Sequence, residues 1–107
     1  MKKFHIALGV PDVEASIQDY RQRLGCGPDL LIPGEYALWR TEALNLSIRK
    51  VVAAEAGTVR HLGWEDPSAS GFSAERDVNG ILWERFTADQ QAAEIQQTWP
   101  SASYQPK

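Results

Sequence analysis

Alternation of hydrophobic and polar positions predicts three β-strands that each carry one polar residue of special interest. Successive side chains in a strand point to opposite faces, so every second residue shares a face. His5 and His61 each occupy the strand face that is otherwise given to small side chains, and Glu84 lies in the middle of the third strand. The three strands are predicted over residues 4–10, 59–64 and 81–86.

A helix is predicted between the first strand and the next ones. Asp12 can accept an amide hydrogen bond at its start, and Gly25 can end it in a left-handed conformation. The apolar residues between them recur at helical spacing and are Val13, Ile17, Tyr20 and Leu24. Three further strands are predicted over residues 29–32, 35–41 and 43–51, the first two separated by Pro33-Gly34.

The second half of the chain is shorter than the first. Residues 53–58 are small and read as a linker, and Asn79-Gly80 is a strong hairpin signal between runs at 72–78 and 81–87. Thr87 or Asp89 can cap a last helix, which carries Ala92, Ala93, Ile95 and Trp99 and stops at Pro100. The polar tail after Pro100 is expected to be loose.

This order of elements predicts an α+β fold in a single domain, residues 1–107. A βαβββ module spans about 3–51, a shortened second module spans about 59–87, and a C-terminal helix spans about 88–99. The second module lacks about one helix with its connections. We expect the C-terminal helix to cover the sheet face that the missing helix would otherwise cover.

The composition narrows the classes of function. At 107 residues the chain can bury a modest core, and its net charge of −3 gives no reason to expect a nucleic acid or an anionic membrane as partner. No apolar run approaches the roughly 18 residues of a membrane span. The one cysteine, Cys26, permits no internal disulfide, which fits a reducing cytoplasm.

His5, His61 and Glu84 together have the chemistry of a divalent metal site with open positions. A buried carboxylate without a partner is costly, and metal ligation removes that cost. The competing interpretation is that the histidines are ordinary core residues and that Glu84 pairs with Arg49 or Arg60. The ligand set itself suits iron, manganese, nickel or zinc.

Three segments of the chain, in this order, resemble the vicinal oxygen chelate superfamily, which includes glyoxalase I, bleomycin-resistance proteins and extradiol dioxygenases. Residues 4–25 resemble its opening strand, helix and Leu-Gly turn, and His61-Leu62-Gly63-Trp64 resembles the start of its second module. Residues 77–84 resemble its closing hairpin, where a glycine precedes the metal-binding glutamate by four positions.

The resemblance implies paired βαβββ modules that form a cupped mixed sheet around a divalent metal, and a homodimer. It implies that His5, His61 and Glu84 fill three of four ligand positions. The fourth falls at 45–47, where this chain has no carboxylate. What remains is similar to the two-histidine, one-carboxylate set of the family's dioxygenases.

Several residues near the trio are candidates for contact with a substrate. Arg49 shares a strand face with Asn45 and Ser47 and could clamp an anion, although a rim arginine paired with a surface acid is the alternative. Phe86 flanks Glu84, and Trp39 could stack on a flat molecule. Glu65 and Asp66 are expected in a solvated loop.

The leading hypothesis is a metal-dependent lyase, isomerase or dioxygenase that acts on a small oxygenated organic molecule, with the metal as Lewis acid. No side chain stands out as the general base; an activated water or Glu84 itself could serve. The alternatives are a metal-independent protein that binds a drug or metabolite, as bleomycin-resistance proteins do, and a scaffold that retains the metal site as a relic.

Overall fold

A computed structural model describes residues 1–107 and shows an α+β fold with one mixed sheet and two helices. The elements, with a short 3-10 turn at Ala53–Glu55 before β5, are β1 (Lys3–Val10), α1 (Val13–Leu24), β2 (Leu30–Ile32), β3 (Tyr36–Arg40), β4 (Leu44–Lys50), β5 (Val59–Glu65), β6 (Ser73–Arg76), β7 (Leu82–Phe86) and α2 (Ala88–Thr98). Each predicted strand and helix is present, within about two residues at most ends. Neither helix has the length and apolar character needed to cross a lipid bilayer.

The sheet has seven strands in the order β2-β3-β4-β1-β5-β7-β6. Its centre is β1, which pairs in parallel with β4 and antiparallel with β5. In the second half, β5 pairs in parallel with β7. The strands that carry His5, His61 and Glu84 are therefore three neighbours at the middle of the sheet.

Helix α1 has the caps that the sequence predicts. The Asp12 side chain accepts a hydrogen bond of 3.0 Å from the Ala15 amide, and Gly25 ends the helix at a φ of 78°. The helix buries Val13 and Ile17 against one face of β3 and β4, where Trp39 lies. We call this the helix face of the sheet.

Helix α2 begins in a capping box, in which the Thr87 and Gln90 side chains each accept a hydrogen bond from the other's backbone amide. It packs on the face opposite α1, with Ile95 against Leu38. The expectation that this helix covers the bare face of the second half is therefore wrong. On the helix face of β5 and β7 no helix is present, and Trp64 stays 38% exposed there.

The C-terminal tail is docked, which corrects the expectation of a loose segment. Ala102 is buried in the cluster with Leu38, and Tyr104 packs against that cluster. The Lys107 carbonyl accepts a hydrogen bond of 3.0 Å from the Arg40 guanidinium. Two apolar contacts and one charge-assisted hydrogen bond therefore hold the C-terminal tail against the sheet, although most of its residues are polar.

Gly63 marks the closest approach of β5 to β7, because a Cβ atom there would collide with the Glu84 backbone. We expect Gly63→Ala to lower the free energy of unfolding by about 1–3 kcal/mol through overpacking. Gly71→Ala is the matched control, since a Cβ at Gly71 meets nothing within 4 Å. Denaturant titration of both variants checks this, and equal stability would show that the two strands can separate at little cost.

Candidate metal centre

The structure brings His5, His61 and Glu84 together on the face opposite α1, which we call the site face. One ligand atom from each residue lies within 4.8 Å of the others. The Nε2 atoms of His5 and His61 are 3.0 Å apart, and His61 Nε2 is 3.1 Å from Glu84 Oε1. The side chain that faces the Glu84 carboxylate is therefore His61, and neither Arg49 nor Arg60 forms an ion pair with it.

The cross-strand register explains why the three side chains meet. His5 pairs with Gly63 on β5, and Gly63 pairs in turn with Glu84 on β7. His61 stands opposite Ala7, one pair further along the same face. Paired residues share a face, so the short side chains at Ala7 and Gly63 leave room for the three longer ones.

Hydrogen bonds fix the tautomer of His5. Its Nδ1 atom is 2.9 Å from Asn45 Oδ1 and 3.2 Å from the Asn45 backbone carbonyl. A carbonyl oxygen can only accept, so Nδ1 carries the proton and donates it. Nε2 is then left with a lone pair directed at His61 and Glu84, as in metal sites where an outer partner sets the ring orientation.

A buried polar network stands behind His5. The Asn45 amide nitrogen donates to Glu65 Oε1 and to Gln91 Oε1, each at 2.8 Å, and the Gln91 amide donates back to Asn45 Oδ1 at 3.1 Å. Arg40 donates two hydrogen bonds of 2.8 Å to the two Glu65 oxygens. Because every member has partners, the network can hold Asn45, and through it His5, in one orientation.

The surroundings set the protonation states of this region. Burial lowers the pKa of His5, and its hydrogen bond to Asn45 only partly offsets that effect. Burial acts to raise the pKa of Glu65, but the hydrogen bonds from Arg40 and Asn45 outweigh it, so the net pKa is below the usual range. His5 is therefore a neutral imidazole near neutral pH, which is the form that ligates metals.

Two separations among the three donor atoms can be compared with the geometry of ligands around one divalent cation. When two ligand atoms each lie about 2.1 Å from one ion and the angle between them at the ion is a right angle, the two atoms are about 3.0 Å apart. The two measured separations, 3.0 and 3.1 Å, match that edge. A proton on His61 Nε2, shared between His5 and Glu84, is the other arrangement that these distances allow.

A cavity of about 530 Å³ opens on the site face beside the trio. Its apolar lining comes from Leu82, Phe86, Ile95 and Trp99 among others, and its polar lining comes from Tyr36, Ser47, Arg49, Glu55, Thr58, Arg60, Gln91, Glu94 and Thr98. The buried Phe86 ring meets the His5 ring edge-on at 4.9 Å between centroids. A second depression of about 500 Å³, along β6 and β7, contains neither histidine.

The expected substrate contacts divide into two groups. Arg49, Ser47 and Phe86 line the cavity, on the faces that strand alternation predicts for them. Asn45 is fully buried behind His5, because its amide is held by the network described above. Trp39 is fully buried on the helix face, where its indole donates to the Cys26 carbonyl at 3.0 Å. Neither residue is positioned to touch a substrate, which corrects both expectations.

Glu65 and Asp66 are not in a solvated loop, which is a further correction. Glu65 is the last residue of β5 and pairs with Arg40, and Asp66 pairs with Arg85 at 2.6 Å. Hydrogen bonds from Ser68 and Arg85 hold the pKa of Asp66 at about 2. The alternation that places His61 and Gly63 on the site face continues to Glu65, so the sequence alone could have predicted that Glu65 lies on this face of β5.

The lowered pKa of Glu65 predicts a pH dependence of stability. Its ordinary pKa is 4.5, so below that pH the unfolded chain binds the proton more readily than the folded one. The stabilisation by Glu65 is complete above pH 4.5 and is lost as the pH falls through the lower, folded pKa. Glu65→Gln should therefore show a shallower fall in melting temperature below that pH than the wild type.

The measurement is the melting temperature against pH by circular dichroism. Glu94→Gln, which removes an exposed carboxylate, controls for the loss of one negative charge. Identical slopes for the wild type and Glu65→Gln would mean that Glu65 titrates alike in the folded and unfolded chain.

Comparison by sequence adds no relative: no protein-family model matches the chain, and no curated protein matches it.

Proposed function

We propose that this protein is a divalent-metal-dependent enzyme of the vicinal oxygen chelate type, and that it acts on a small oxygenated organic molecule. His5, His61 and Glu84 would hold the metal. The observation that carries the proposal is their convergence: three ligating atoms from three neighbouring strands lie within 4.8 Å at the edge of a cavity. A two-histidine, one-carboxylate set leaves coordination positions open for substrate.

The sheet topology supports the same proposal. Each half begins with a histidine-bearing strand that pairs in parallel with the last strand of that half, β1 with β4 and β5 with β7. The halves meet where β1 and β5 run antiparallel. We interpret them as one complete βαβββ module and one that lacks its helix and a strand. The family's fourth ligand position then falls on β4, where Asn45 turns to His5 instead.

The residues of the chain have separable roles in this proposal. A bound divalent ion would supply Lewis acidity toward substrate oxygens. Asn45 would hold the His5 ring with its Nε2 lone pair toward the ion, and Phe86 packs edge-on against the same ring. Glu84 is the carboxylate at the centre and remains a candidate to accept a substrate proton. The identity of the bound metal selects which reaction class, lyase, isomerase or dioxygenase, is assayed first.

Elemental analysis of anaerobically purified protein, before and after incubation with iron(II), manganese, nickel and zinc, tests the proposal. The side chains of His61 and Glu84 are 16% and 14% exposed, so ions can reach them from the cavity. We expect about one ion per chain, and His61→Ala should lose it. A wild-type protein that binds no ion after reconstitution would refute the enzyme proposal and favour a metal-independent protein that holds a drug or metabolite in the same cavity.

A further inference from the structure

Two arginines in the cavity have no anionic partner. Neither Arg49 nor Arg60 has a carboxylate oxygen within 4.0 Å of its guanidinium, whereas Arg23, Arg40 and Arg85 each form an ion pair. Both unpaired arginines line the cavity that opens at the metal centre. An unpaired guanidinium that faces a cavity is suited to bind an anion, because its planar fork of donors matches a carboxylate.

The fold holds Arg49 in place without using its hydrogen-bonding capacity. The half-buried side chain lies over the Trp99 ring, with 5.2 Å from the guanidinium carbon to the ring centroid. Stacking on an aromatic face restricts the guanidinium plane but leaves its N–H edges free. Arg49 is therefore oriented in advance, which lowers the entropy cost of binding a ligand.

Arg60 reaches the cavity because of a β-bulge. Ala7 pairs with His61, but Leu8 pairs with Val59, so Arg60 is the extra residue on β5. A bulge redirects a side chain that regular alternation would turn to the other face. Tyr36 and Arg60 both line the cavity, and the charge of Arg60 acts against the rise in the pKa of Tyr36 that burial causes.

With a divalent ion at the trio, the remaining charges of the cavity favour an anion. Glu55 and Glu94 line it together with Glu84, and none of the three is in ion-pair distance of Arg49 or Arg60. A divalent ion at the trio would leave the cavity with a net positive charge. Negative charge brought in by a ligand would then be attracted to the cavity as a whole.

The strand register indicates the scale of a ligand that reaches from Arg49 to the metal centre. Arg49 stands opposite Gly9, and His61 stands opposite Ala7, two residues back along β1. Two residues of a strand span about 7 Å. The side chains of Phe86, Ile95 and Trp99 supply an apolar wall to the same cavity. This offset along β1 is comparable with the length of a substituted aromatic ring, which suits a ligand that reaches from Arg49 to the metal centre.

We propose that the cavity binds a small organic acid with a ring-sized apolar body, its carboxylate held by Arg49 and Arg60 and its oxygen-bearing end at the metal centre. The position of the oxygen-bearing end rests on the proposed function. The carboxylate site does not, because the arginines are unpaired whether or not a metal binds.

Calorimetry with two isosteric probes tests this inference. The acid is 3,4-dihydroxybenzoate, and the neutral control is 3,4-dihydroxybenzamide, which has the same ring and the same vicinal oxygens. For the wild-type protein with metal we expect the acid to bind about tenfold or more tightly than the amide, as for hydrogen bonds to charged groups. Arg49→Gln and Arg60→Gln should each reduce this ratio, and Arg49→Lys should keep part of it.

The control variant is Lys50→Gln, which removes the same charge from the neighbouring, exposed position on β4 and should leave the ratio unchanged. Metal content and circular dichroism are recorded for each variant, to show that the metal centre and the fold persist. A ratio near one in the wild type overturns the inference. So does a ratio that survives both arginine substitutions, or binding of neither probe below about 10 mM.

Repeating the titrations without metal separates the inference from the proposed function. If the protein binds no metal but prefers the acid in an Arg49-dependent way, the acid site stands and the enzyme proposal fails. If the protein binds metal through the trio but shows no preference for the acid, the metal centre stands and the acid site fails.

Discussion

Replacing Glu84 by glutamine is expected to weaken the binding of a divalent ion at least about 100-fold, which exceeds the 10–100-fold typical of outer-shell partners. Glutamine preserves the shape of the side chain but removes the negative charge that faces His61 across 3.1 Å. The neutral amide oxygen is a much weaker ligand than a carboxylate, so the expected loss concerns affinity rather than fold.

The stability of the protein provides an independent measurement of this loss. A ligand at 100 times its dissociation constant stabilises the folded state by about 2.7 kcal/mol, and for a domain of this size that raises the melting temperature by about 10–20 °C. We expect the wild type to show this shift on addition of metal and Glu84→Gln to show little of it. Calorimetric titration gives the affinities directly.

Glu94→Gln is the matched control, since Glu94 is a second carboxylate of the same cavity but lies outside the trio. It should bind metal as the wild type does. An equal loss in both variants would mean that ions bind to the general negative charge of the cavity, and an undiminished affinity in Glu84→Gln would remove Glu84 from the centre.

Glu65→Ala is expected to lower the free energy of unfolding by about 3–5 kcal/mol, because it leaves a buried charge without its partner. The side chains of Arg40 and Glu65 are 9% and 5% exposed, and two hydrogen bonds of 2.8 Å join them. The substitution also removes one of the two acceptors of the Asn45 amide nitrogen. For a domain stabilised by about 5–15 kcal/mol this loss is large.

Asp19→Ala provides the contrast, because the Asp19–Arg23 pair has side chains that are 52% and 72% exposed. Exposed pairs of this kind contribute about 0–1 kcal/mol. The double variant Arg40→Met/Glu65→Leu should recover much of the stability that Glu65→Ala loses, since apolar replacement of both partners leaves no unpaired charge. Denaturant titration checks all three, and a loss below about 1 kcal/mol in Glu65→Ala would show that water reaches Arg40.

Most residues of the candidate centre could be predicted from the alternation of side chains along single strands. Alternation within each strand assigned His5, His61 and Glu84 to one face, and the structure brings their ligating atoms together. The same reasoning placed Arg49, Ser47 and Phe86 at the cavity. It named Arg60 only as a possible partner of Glu84, because the place of Arg60 in the cavity depends on a bulge. It did not place Gln91 of α2 or Trp99, the residue after α2, at the cavity.

Local patterns determined the elements of this protein and the faces of their side chains. The caps at Asp12, Gly25 and Thr87 act within a few residues, and strand alternation repeats every second residue, so both can be read along the chain. Only the tertiary structure decided that α2 packs on the site face, that Glu65 pairs with Arg40, and that Asn45 supports His5. The partners in these contacts are 25 or more residues apart in the chain. They meet because of strand order and packing, which no short-range pattern encodes.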